Sequence, residues 1–283
     1  MSAIGTCYPV WLRRLREAGI DAAGFELDLM LEEGLSLSKA QRLSHPEQEI
    51  GPENIAQIQQ WISRREQGEP LQYLLGWWEF YGRRFSVGPG VLIPRADTEI
   101  LVEQALKELE PVPAPRIADL CAGSGCVGLT IACERPTAQV SLLELSPDAF
   151  DYCARNVKAL APGCRLIRTD VLRTTAGLTG LDAVLSNPPY IPSGDLPGLQ
   201  KEVQKEPRLA LDGAEDGLRF YREIPLLWKE ALAPGGLIAF EIGFDQATAV
   251  VSFLERAGFC HIRTVKDYGG NDRVVLGRKP RLS

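Results

Sequence analysis

Apolar side chains in the first quarter of the chain recur at helical spacing. Trp11 and Leu15 are one turn apart, and Ile58 and Ile62 repeat this spacing in a later segment. Glycines and a His-Pro pair separate the segments, and no convincing alternation typical of a strand occurs among them. The pattern therefore predicts a small helical bundle over residues 1–75.

Aromatic and polar residues alternate in the stretch that follows. Residues 77–87 carry a turn signal at Gly82, which is typical of a β-hairpin. A Gly-Pro-Gly cluster comes next at 88–90, and the Pro-Val-Pro-Ala-Pro run at 111–115 forms a stiff connection. We therefore predict a β-hairpin and linker segment over residues 76–110.

From Arg116 onward, short apolar runs alternate with stretches of helical periodicity. This alternation predicts an α/β fold over residues 111–283, a doubly wound parallel sheet with helices on both faces. The last two runs, joined around Gly270, predict a terminal hairpin on the sheet edge. The predicted strands are 116–120, 139–144, 165–169, 182–186, 237–242, 262–266 and 273–276, and the predicted helices are 128–134, 147–160, 218–232 and 246–257.

The charge balance narrows the classes of function. The chain has 31 Lys and Arg against 37 Asp and Glu, a formal net charge of -6, with 45% apolar residues. This composition is globular, and the negative charge argues against broad, sequence-independent binding of nucleic acid. His45 and His261 are the two histidines. Because so few are present, most His-based zinc sites and a Ser-His-Asp mechanism are disfavoured, and we expect no metal.

Cysteine usage and hydropathy indicate the compartment. The seven cysteines show no C-x-x-C spacing, so neither a disulfide framework nor a zinc ribbon is predicted. The N-terminus lacks the apolar run of a signal peptide, and no stretch approaches the roughly 20 apolar residues that cross a bilayer. We expect a reduced, cytoplasmic protein without membrane contact.

A glycine-rich turn follows the first predicted strand of the α/β domain. Its sequence is Cys121-Ala122-Gly123-Ser124-Gly125, and such a turn lets the backbone pass close beneath a ligand. The second strand ends at Glu144, whose carboxylate can accept hydrogen bonds from both ribose hydroxyls. Asp170 ends the third strand and is a candidate acceptor for an adenine amino group. Together these residues predict a nucleoside crevice at the carboxyl ends of the strands.

The glycine spacing does not identify the cofactor. Gly123, Gly125 and Gly128 also satisfy G-x-G-x-x-G, so a dinucleotide is an alternative to S-adenosylmethionine. An NAD-dependent dehydrogenase would explain the glycines, but the sequence offers no candidate acid for hydride transfer.

The fourth predicted strand runs into Asn187-Pro188-Pro189-Tyr190. Prolines fix the backbone and have no amide donor, so the Pro188 carbonyl is free to point outward beside the amide oxygen of Asn187. Two acceptors converging on one point suit a planar NH2 group, and the Tyr190 ring can stack on that group. At the end of a strand in a nucleoside-binding sheet, the motif predicts methylation of an amino group.

The motif and its position resemble class I S-adenosylmethionine-dependent methyltransferases that act on planar amino groups. Further motifs are Pro70-Leu71-Gln72-Tyr73-Leu74-Leu75-Gly76, Glu79-Phe80-Tyr81-Gly82, Leu92-Ile93-Pro94-Arg95 with Thr98-Glu99, Glu206-Pro207-Arg208-Leu209-Ala210-Leu211, Pro234-Gly235-Gly236, Glu241-Ile242-Gly243 and Gly270-Asn271-Asp272-Arg273. These motifs resemble the HemK/PrmC family, the release-factor glutamine methyltransferases. The resemblance runs from about residue 65 to the end of the chain, and the helical N-terminal segment fits in kind.

This resemblance implies a fold and a reaction. The fold is the seven-stranded class I methyltransferase sheet, with a small N-terminal helical domain joined by a β-hairpin. The reaction transfers a methyl group from S-adenosylmethionine to the side-chain amide nitrogen of the glutamine in the Gly-Gly-Gln motif of class I peptide chain release factors, and leaves S-adenosylhomocysteine. The expected cofactor-binding residues are Cys121, Ala122, Gly123, Ser124, Gly125, Glu144, Asp170, Val171 and Asn187; those for the glutamine are Asn187, Pro188, Pro189 and Tyr190, of which Asn187, Pro188 and Tyr190 are the candidate catalytic residues.

The sequence departs from the family pattern in three places. Cys121-Ala122 stand where Gly-Thr is common, Glu144 stands where Asp is usual, and Ala96-Asp97 replace a Pro-Glu pair. Glu144 keeps the carboxylate and is expected to serve in the same way.

Two alternatives remain open at this point. An amino-methyltransferase acting on adenine or guanine of nucleic acid shares the Asn-Pro-Pro-Tyr chemistry, but it needs a basic channel that a net charge of -6 disfavours. A nucleoside-binding accessory protein of translation explains the helical module but leaves the motif without a purpose. We expect a monomer whose residues 1–75 dock the release factor, with no direct nucleic-acid binding.

Overall fold

The computed structural model describes residues 1–281 and divides into two compact units. The first comprises residues 1–76 together with residues 200–205, and the second comprises residues 77–199 and the chain from 206 onward. Residues 282 and 283 of the predicted 111–283 domain lie outside the described residues.

The first unit is built from helices, as the apolar spacing predicted. Three of its helices contact one another pairwise, and Trp11, Leu15, Ile58 and Ile62 are buried. A pair of two-residue strands was not predicted, because two residues are too few to show alternation. The elements are β1 (Ser2–Ala3), α1 (Ile4–Glu17), α2 (Ala23–Leu35), α3 (Lys39–Ser44), β2 (Glu49–Ile50), α4 (Pro52–Glu66) and α5 (Leu71–Leu75).

A buried cation ties residues 200–205 to the helices of this unit. The Arg65 guanidinium donates through Nε to Glu26 Oε2 at 2.7 Å and through Nη2 to Glu202 Oε1 at 2.5 Å. Arg65 is 4% exposed and Glu26 is also buried. Because a buried guanidinium is tolerated only when its donors are paired, the Glu202 carboxylate fixes this segment of the second half of the chain against α2 and α4.

The second unit contains a two-stranded hairpin and a seven-stranded sheet with helices. Most strand limits agree with the predicted ones to within a residue. The elements are β3 (Trp77–Phe80), β4 (Arg83–Ser86), α6 (Glu99–Leu109), β5 (Arg116–Leu120), α7 (Cys126–Glu134), β6 (Gln139–Glu144), α8 (Pro147–Leu160), β7 (Arg165–Arg168), β8 (Leu181–Ser186), α9 (Arg208–Leu211), α10 (Arg219–Trp228), β9 (Leu232–Glu241), α11 (Ala247–Arg256), β10 (Cys260–Lys266) and β11 (Asp272–Arg278).

The strand order of the large sheet is β10-β11-β9-β8-β5-β6-β7. The five strands from β9 to β7 are parallel, while β11 is antiparallel to both of its neighbours. The predicted terminal hairpin at the sheet edge is therefore confirmed. Since β6 lies on one side of β5 and β8 on the other, the strand order reverses at β5, and a crevice opens at its carboxyl end.

Successive residues along a strand pack into two different apolar cores, one on each face of the sheet. In β8, Ala183 and Leu185 join the core under α6, α7 and α8, whereas Val184 joins the core under α10 and α11. This division follows from the alternation of side chains along a strand, and it explains why buried strands appear as continuous apolar runs. No helix within residues 1–281 is long and apolar enough to cross a membrane.

One predicted helix is too long at its C-terminal end. The periodicity predicted a helix over 218–232, but α10 ends at Trp228 and Leu232 already begins β9. The Leu181 amide donates to the Ala231 carbonyl at 2.9 Å, and Leu181 pairs with Leu232. Pairing with β8 therefore overrides the local helical pattern in this stretch.

The predicted β-hairpin is confirmed and belongs to the second unit. Trp77 pairs with Ser86 at the open end of β3 and β4. Phe80 and Phe85 are buried, with their rings edge to face at 6.0 Å. Asn156 of α8 accepts from the Ser86 amide at 2.7 Å and donates to the Ser86 carbonyl at 3.1 Å, so the hairpin is fixed to the helix that flanks the crevice.

Candidate active site

A cavity opens at the carboxyl ends of β5, β6 and β8. The fold brings to one place the glycine-rich turn, two strand-end acidic residues and the start of the Asn-Pro-Pro-Tyr motif. Gly125, Pro188 and Tyr190 do not form part of the cavity wall. The predicted site residues in the wall are Cys121, Ala122, Gly123, Ser124, Glu144, Asp170, Val171, Asn187 and Pro189.

Left-handed backbone shapes the turn after β5. Cys121, Gly123 and Gly125 have φ angles of 57°, 57° and 82°. A β-carbon on Gly125 would lie 2.9 Å from both Cys153 Sγ and Leu129 Cδ1. Glycine is therefore required at Gly125 by conformation and by packing, and its place is at the start of α7 rather than in the cavity wall.

Backbone amides hold the Glu144 carboxylate at the end of β6. Oε1 accepts from the Leu145 and Ser146 amides at 2.8 and 2.7 Å, and Oε2 accepts from the Gly123 amide at 2.8 Å. Burial raises the pKa of Glu144, against the lowering effect of these three donors. A carboxylate offers about four acceptor positions, so one position remains beyond these three donors in a residue that lines the cavity.

A further buried carboxylate in the wall was missed by the sequence analysis. Asp119 of β5 is 1% exposed, and its Oδ2 accepts from the Gly128 amide at 2.8 Å. Burial raises the pKa of Asp119 to about 7, and the nearby Glu144 charge adds to the rise. Its place near the end of a strand at the reversal point was the signal that could have identified it.

Asp170 and Val171 follow β7 and enter the wall from the next strand. Asp170 Oδ1 accepts from the Leu172 amide at 2.9 Å, and its Oδ2 is 3.2 Å from Arg173 Nε. The Trp228 indole donates to the Val171 carbonyl at 2.8 Å. The loop is therefore held by its own hydrogen bonds and by α10.

Asn187 comes directly after β8, at the edge of the cavity. Ser186 Oγ donates to the Leu120 carbonyl at 2.8 Å, which pins the end of β8 against β5. The Asn187 Nδ2 donates to Thr98 Oγ1 at 3.2 Å. Among residues 1–281, no donor reaches Asn187 Oδ1 or the Pro188 carbonyl. Two adjacent carbonyl-type acceptors thus have no internal donor; Asn187 lines the cavity, whereas Pro188 is buried outside its wall.

Tyr190 lies largely out of solvent beside a buried acidic side chain. Its hydroxyl is 3.5 Å from Glu241 Oε1, and its carbonyl accepts from Gln246 Nε2 at 2.9 Å. Burial, with the neighbouring Glu241 charge, raises the pKa of Tyr190. The ring is therefore neutral and fixed by the strand that carries Glu241.

Two segments in the cavity wall had no predicted role. Glu206 is buried, pairs with Arg95, and accepts from the Ile93 amide at 3.0 Å, so it links the 92–98 segment to the 206–211 segment. Both segments carry family motifs. They lie close together only through long-range packing, which no local sequence pattern indicates. The wall residues that they and α10 supply are Leu92, Pro94, Arg95, Thr98, Pro207, Leu209, Ala210, Arg219 and Phe220.

No cluster of three or more His, Cys, Asp or Glu side chains in the described chain could hold a metal ion. The seven cysteines are unpaired thiols. Burial raises the pKa of Cys126 in the cavity wall to about 12, so this thiol is uncharged near neutral pH.

Two family models match the chain. The PrmC N-terminal domain matches residues 11–76, within the unit of helices. The Methyltransferase small domain matches residues 96–201, which include β5 to β8 and most of the cavity wall.

Solved structures share the fold of the chain. The catalytic domain of hMettl16 matches with a TM-score of 0.58 at 14% identity, over 81% of this chain and 82% of that one. A methyltransferase from Pyrococcus furiosus matches with a TM-score of 0.50 at 15% identity, over 71% of this chain and 90% of that one. These similarities confirm the predicted class I methyltransferase sheet.

Curated relatives match at higher identity over nearly the full length. Proteins named release factor glutamine methyltransferase from Moorella thermoacetica and Geobacter sulfurreducens are both 41% identical, over 94% and 95% of this chain and 94% of each relative. The one from Caulobacter vibrioides is 39% identical over 95% of this chain and 94% of its own. The chain therefore belongs to the family of release factor glutamine methyltransferases, S-adenosylmethionine-dependent enzymes, as its motifs predicted.

Proposed function

We propose that this protein transfers a methyl group from S-adenosylmethionine to the side-chain amide nitrogen of the glutamine in the Gly-Gly-Gln motif of class I peptide chain release factors. The observation that carries the proposal is a pair of adjacent acceptors that no internal donor reaches: Asn187 Oδ1, whose residue lines a cavity with three carboxylates, and the carbonyl of the next residue, Pro188. The enzyme acts as a cytoplasmic monomer on a protein substrate.

The charge of the cavity suits S-adenosylmethionine, which carries a sulfonium and an ammonium group. Asp119, Glu144 and Asp170 line it, and no Lys or Arg among residues 1–281 forms an ion pair with Asp119 or Glu144. Burial of these two carboxylates without a cationic partner is costly, and a bound cation relieves that cost. Cys121 to Ser124, Glu144, Asp170 and Val171 would hold the cofactor, which supplies an activated methyl group.

The acceptor pair addresses the weakness of an amide as a nucleophile. Amide resonance is reflected in a rotation barrier of ~18–20 kcal/mol, and it delocalises the nitrogen lone pair. Asn187 Oδ1 and the Pro188 carbonyl would accept the two N–H groups of the glutamine. Hydrogen bonds to a group that gains positive charge contribute roughly 1.5–3 kcal/mol each, and they strengthen as the nitrogen becomes tetrahedral. This is differential binding of the transition state.

Orientation supplies a larger part of the rate enhancement. Holding two reactants in alignment contributes up to roughly 7–11 kcal/mol. Pro188 and Pro189 restrict the backbone conformation of the segment that carries the two acceptors. The hydrogen bond from Ser186 fixes the end of β8, directly before this segment. After transfer, the methylated amide nitrogen is strongly acidic and loses its proton to water, so the chemistry requires no histidine as general base.

The N-terminal unit is proposed to dock the release factor. It is a helical module with exposed apolar side chains, among them Phe25 and Leu43, which are 63% and 64% exposed. The Gly-Gly-Gln loop alone offers little surface by which the enzyme could distinguish a release factor from other proteins. A separate docking module would add to the affinity for the whole release factor.

Mass spectrometry of substrates incubated with the enzyme and labelled S-adenosylmethionine tests the proposal. We expect one methyl group on the glutamine of the Gly-Gly-Gln loop, and no labelling of a release factor in which that glutamine is replaced by alanine. Parallel incubations with RNA and DNA provide the alternative outcome. Label on adenine or guanine, with none on the release factor, would overturn the proposed substrate.

A further inference from the structure

Two buried polar side chains lie behind Asn187 and have no part in the proposed reaction. Thr98 ends the 3-10 turn Ala96–Thr98, and Glu241 is the last residue of β9. Each is 1% exposed, although they come from segments more than 140 residues apart in the chain. Thr98 also belongs to the cavity wall, whereas Glu241 does not.

The direction of the hydrogen bonds in this group is determined by chemistry. The Asn187 Nδ2 donates to Thr98 Oγ1 at 3.2 Å, so the threonine oxygen is an acceptor there and its own proton must point elsewhere. A carboxylate is an acceptor only, and Glu241 Oε2 is buried with no hydrogen-bond partner within residues 1–281. The Thr98 hydroxyl interacts with the Glu241 carboxylate and lowers its pKa, so Glu241 is the natural recipient of the Thr98 proton.

Resting on the proposed function, we propose that Thr98 and Glu241 are positioning residues that fix the orientation of the Asn187 amide. Glu241 draws the hydroxyl proton of Thr98 away from Asn187, and the threonine lone pair then accepts from Nδ2. Oδ1 consequently faces the substrate. If the amide turned over, Nδ2 would meet the N–H groups of the glutamine, and donor would face donor.

The surroundings of Glu241 support this arrangement. Burial raises the pKa of Glu241 to about 7, while the Thr98 hydroxyl, Arg273 and the Tyr190 hydroxyl lower it and Asp97 raises it. The Tyr221 hydroxyl donates to the Glu241 backbone carbonyl at 2.8 Å. The Glu241 charge contributes to the raised pKa of Cys126, whose thiol carries no charge near neutral pH. The ionised form of Glu241 is thus the form that holds Thr98 in its acceptor role.

Substitutions at Thr98 separate a positioning role from a structural one. Thr98→Val keeps the shape and removes the hydroxyl, whereas Thr98→Ser keeps the hydroxyl. For methylation of a release factor, we expect Thr98→Val to lower kcat about tenfold, the scale of one lost hydrogen bond, with cofactor affinity unchanged. Thr98→Ser is expected to retain kcat within about threefold. Equal kcat for Thr98→Val and the wild type would overturn the inference.

The Asn187→Ala background shows whether Thr98 acts through Asn187. There, Thr98→Val is expected to cause no further loss of kcat, because the amide that it orients is absent. A loss as large as in the wild-type background would overturn the inference and leave the proposed function intact. Full activity of Asn187→Ala alone would instead reject the proposed role of the acceptor pair. Thermal melting of each variant shows whether folding is retained.

A pH profile of kcat at saturating cofactor tests the part assigned to Glu241. We expect the wild-type kcat to fall as the pH drops below about 7, and to fall less steeply in Thr98→Val, where the charge has no hydroxyl to orient. A wild-type kcat that stays level from about pH 8 to about pH 6 would overturn the role of Glu241.

Discussion

The carboxylates of the site differ in how they are satisfied, and this difference assigns their roles. Glu144 accepts three backbone N–H groups, while Asp119 accepts one, from Gly128, at full burial. Glu144 therefore organises the turn in addition to facing the cavity. Asp119 is the carboxylate whose ionisation depends most on a cation supplied from outside.

Asp119 is expected to make cofactor binding depend on pH. Its pKa is raised to about 7 in the free protein. A bound cation favours the carboxylate, so binding releases a proton below pH 7, and affinity should rise up to about tenfold from pH 6 to pH 8. Calorimetry of S-adenosylmethionine binding at the two pH values measures this change.

The Asp119→Asn variant is the control for this prediction. Asparagine still accepts from the Gly128 amide but cannot ionise, so affinity should be lower and should vary less with pH than in the wild type. The same raised pKa makes the free protein less stable as the pH rises from about 4 to about 7, because the folded state holds a proton that the unfolded chain has lost. A change of affinity between pH 6 and pH 8 that is as large in Asp119→Asn as in the wild type would contradict this assignment.

Asn187 is expected to affect turnover rather than cofactor binding. Replacing Asn187 with alanine removes one acceptor that strengthens in the transition state, so kcat should fall between about tenfold and about a hundredfold. The dissociation constant of S-adenosylmethionine should change little. Steady-state methylation of a release factor and calorimetry with the cofactor measure the two quantities, and a large loss of cofactor affinity with unchanged kcat would contradict the assigned role.

Elements differ in how well the sequence predicts them. The limits of β5 and β6 agree with the prediction because each is a largely buried run that begins at a polar residue, Arg116 or Gln139, shortly after a proline. The end of α10 was wrong because pairing of Leu232 with β8 is a long-range contact. The same reason explains which site residues were predicted. Asn187 belongs to a contiguous motif and was predicted, whereas Thr98, which accepts a hydrogen bond from Asn187, is 89 residues away in sequence and was not.

The contact between α7 and β6 leads to a prediction about stability. A β-carbon on Gly128 would lie 2.5 Å from Leu142 Cδ2 and 3.0 Å from Val140 Cγ1. Gly128→Ala is therefore expected to lower the free energy of unfolding by about 1–3 kcal/mol, although alanine favours helix. The change would also displace Asp119 Oδ2, which is 3.0 Å from the same point.

Chemical denaturation followed by tryptophan fluorescence measures this effect. Gly163→Ala is the matched control, since a β-carbon there meets nothing within 4 Å in the same unit. An equal denaturation midpoint for the two variants would show that α7 can move away from the sheet without cost.

At the scale of the whole molecule, the chain does not divide at one point in sequence. Residues 200–205 group with the helices of residues 1–76, although they lie between β8 and α9 of the sheet unit. Neighbouring Glu206 pairs with Arg95, which lines the cavity. The boundary between the two units therefore falls one residue before a site residue, and no change in composition marks it.

A docking role for the N-terminal unit predicts a loss of affinity that depends on substrate size. Replacing Phe25 and Leu43 with serine removes exposed apolar surface from α2 and α3, with little expected cost to stability. If these side chains contact the release factor, KM for the whole factor should rise about tenfold or more, since burial of one such side chain contributes roughly 1.5–3 kcal/mol. KM for a short Gly-Gly-Gln peptide should stay the same, because the peptide reaches only the cavity.

Leu226→Ser is the matched control, as Leu226 is 69% exposed on the sheet unit. Equal KM values for the whole factor in all three proteins would place the docking surface elsewhere.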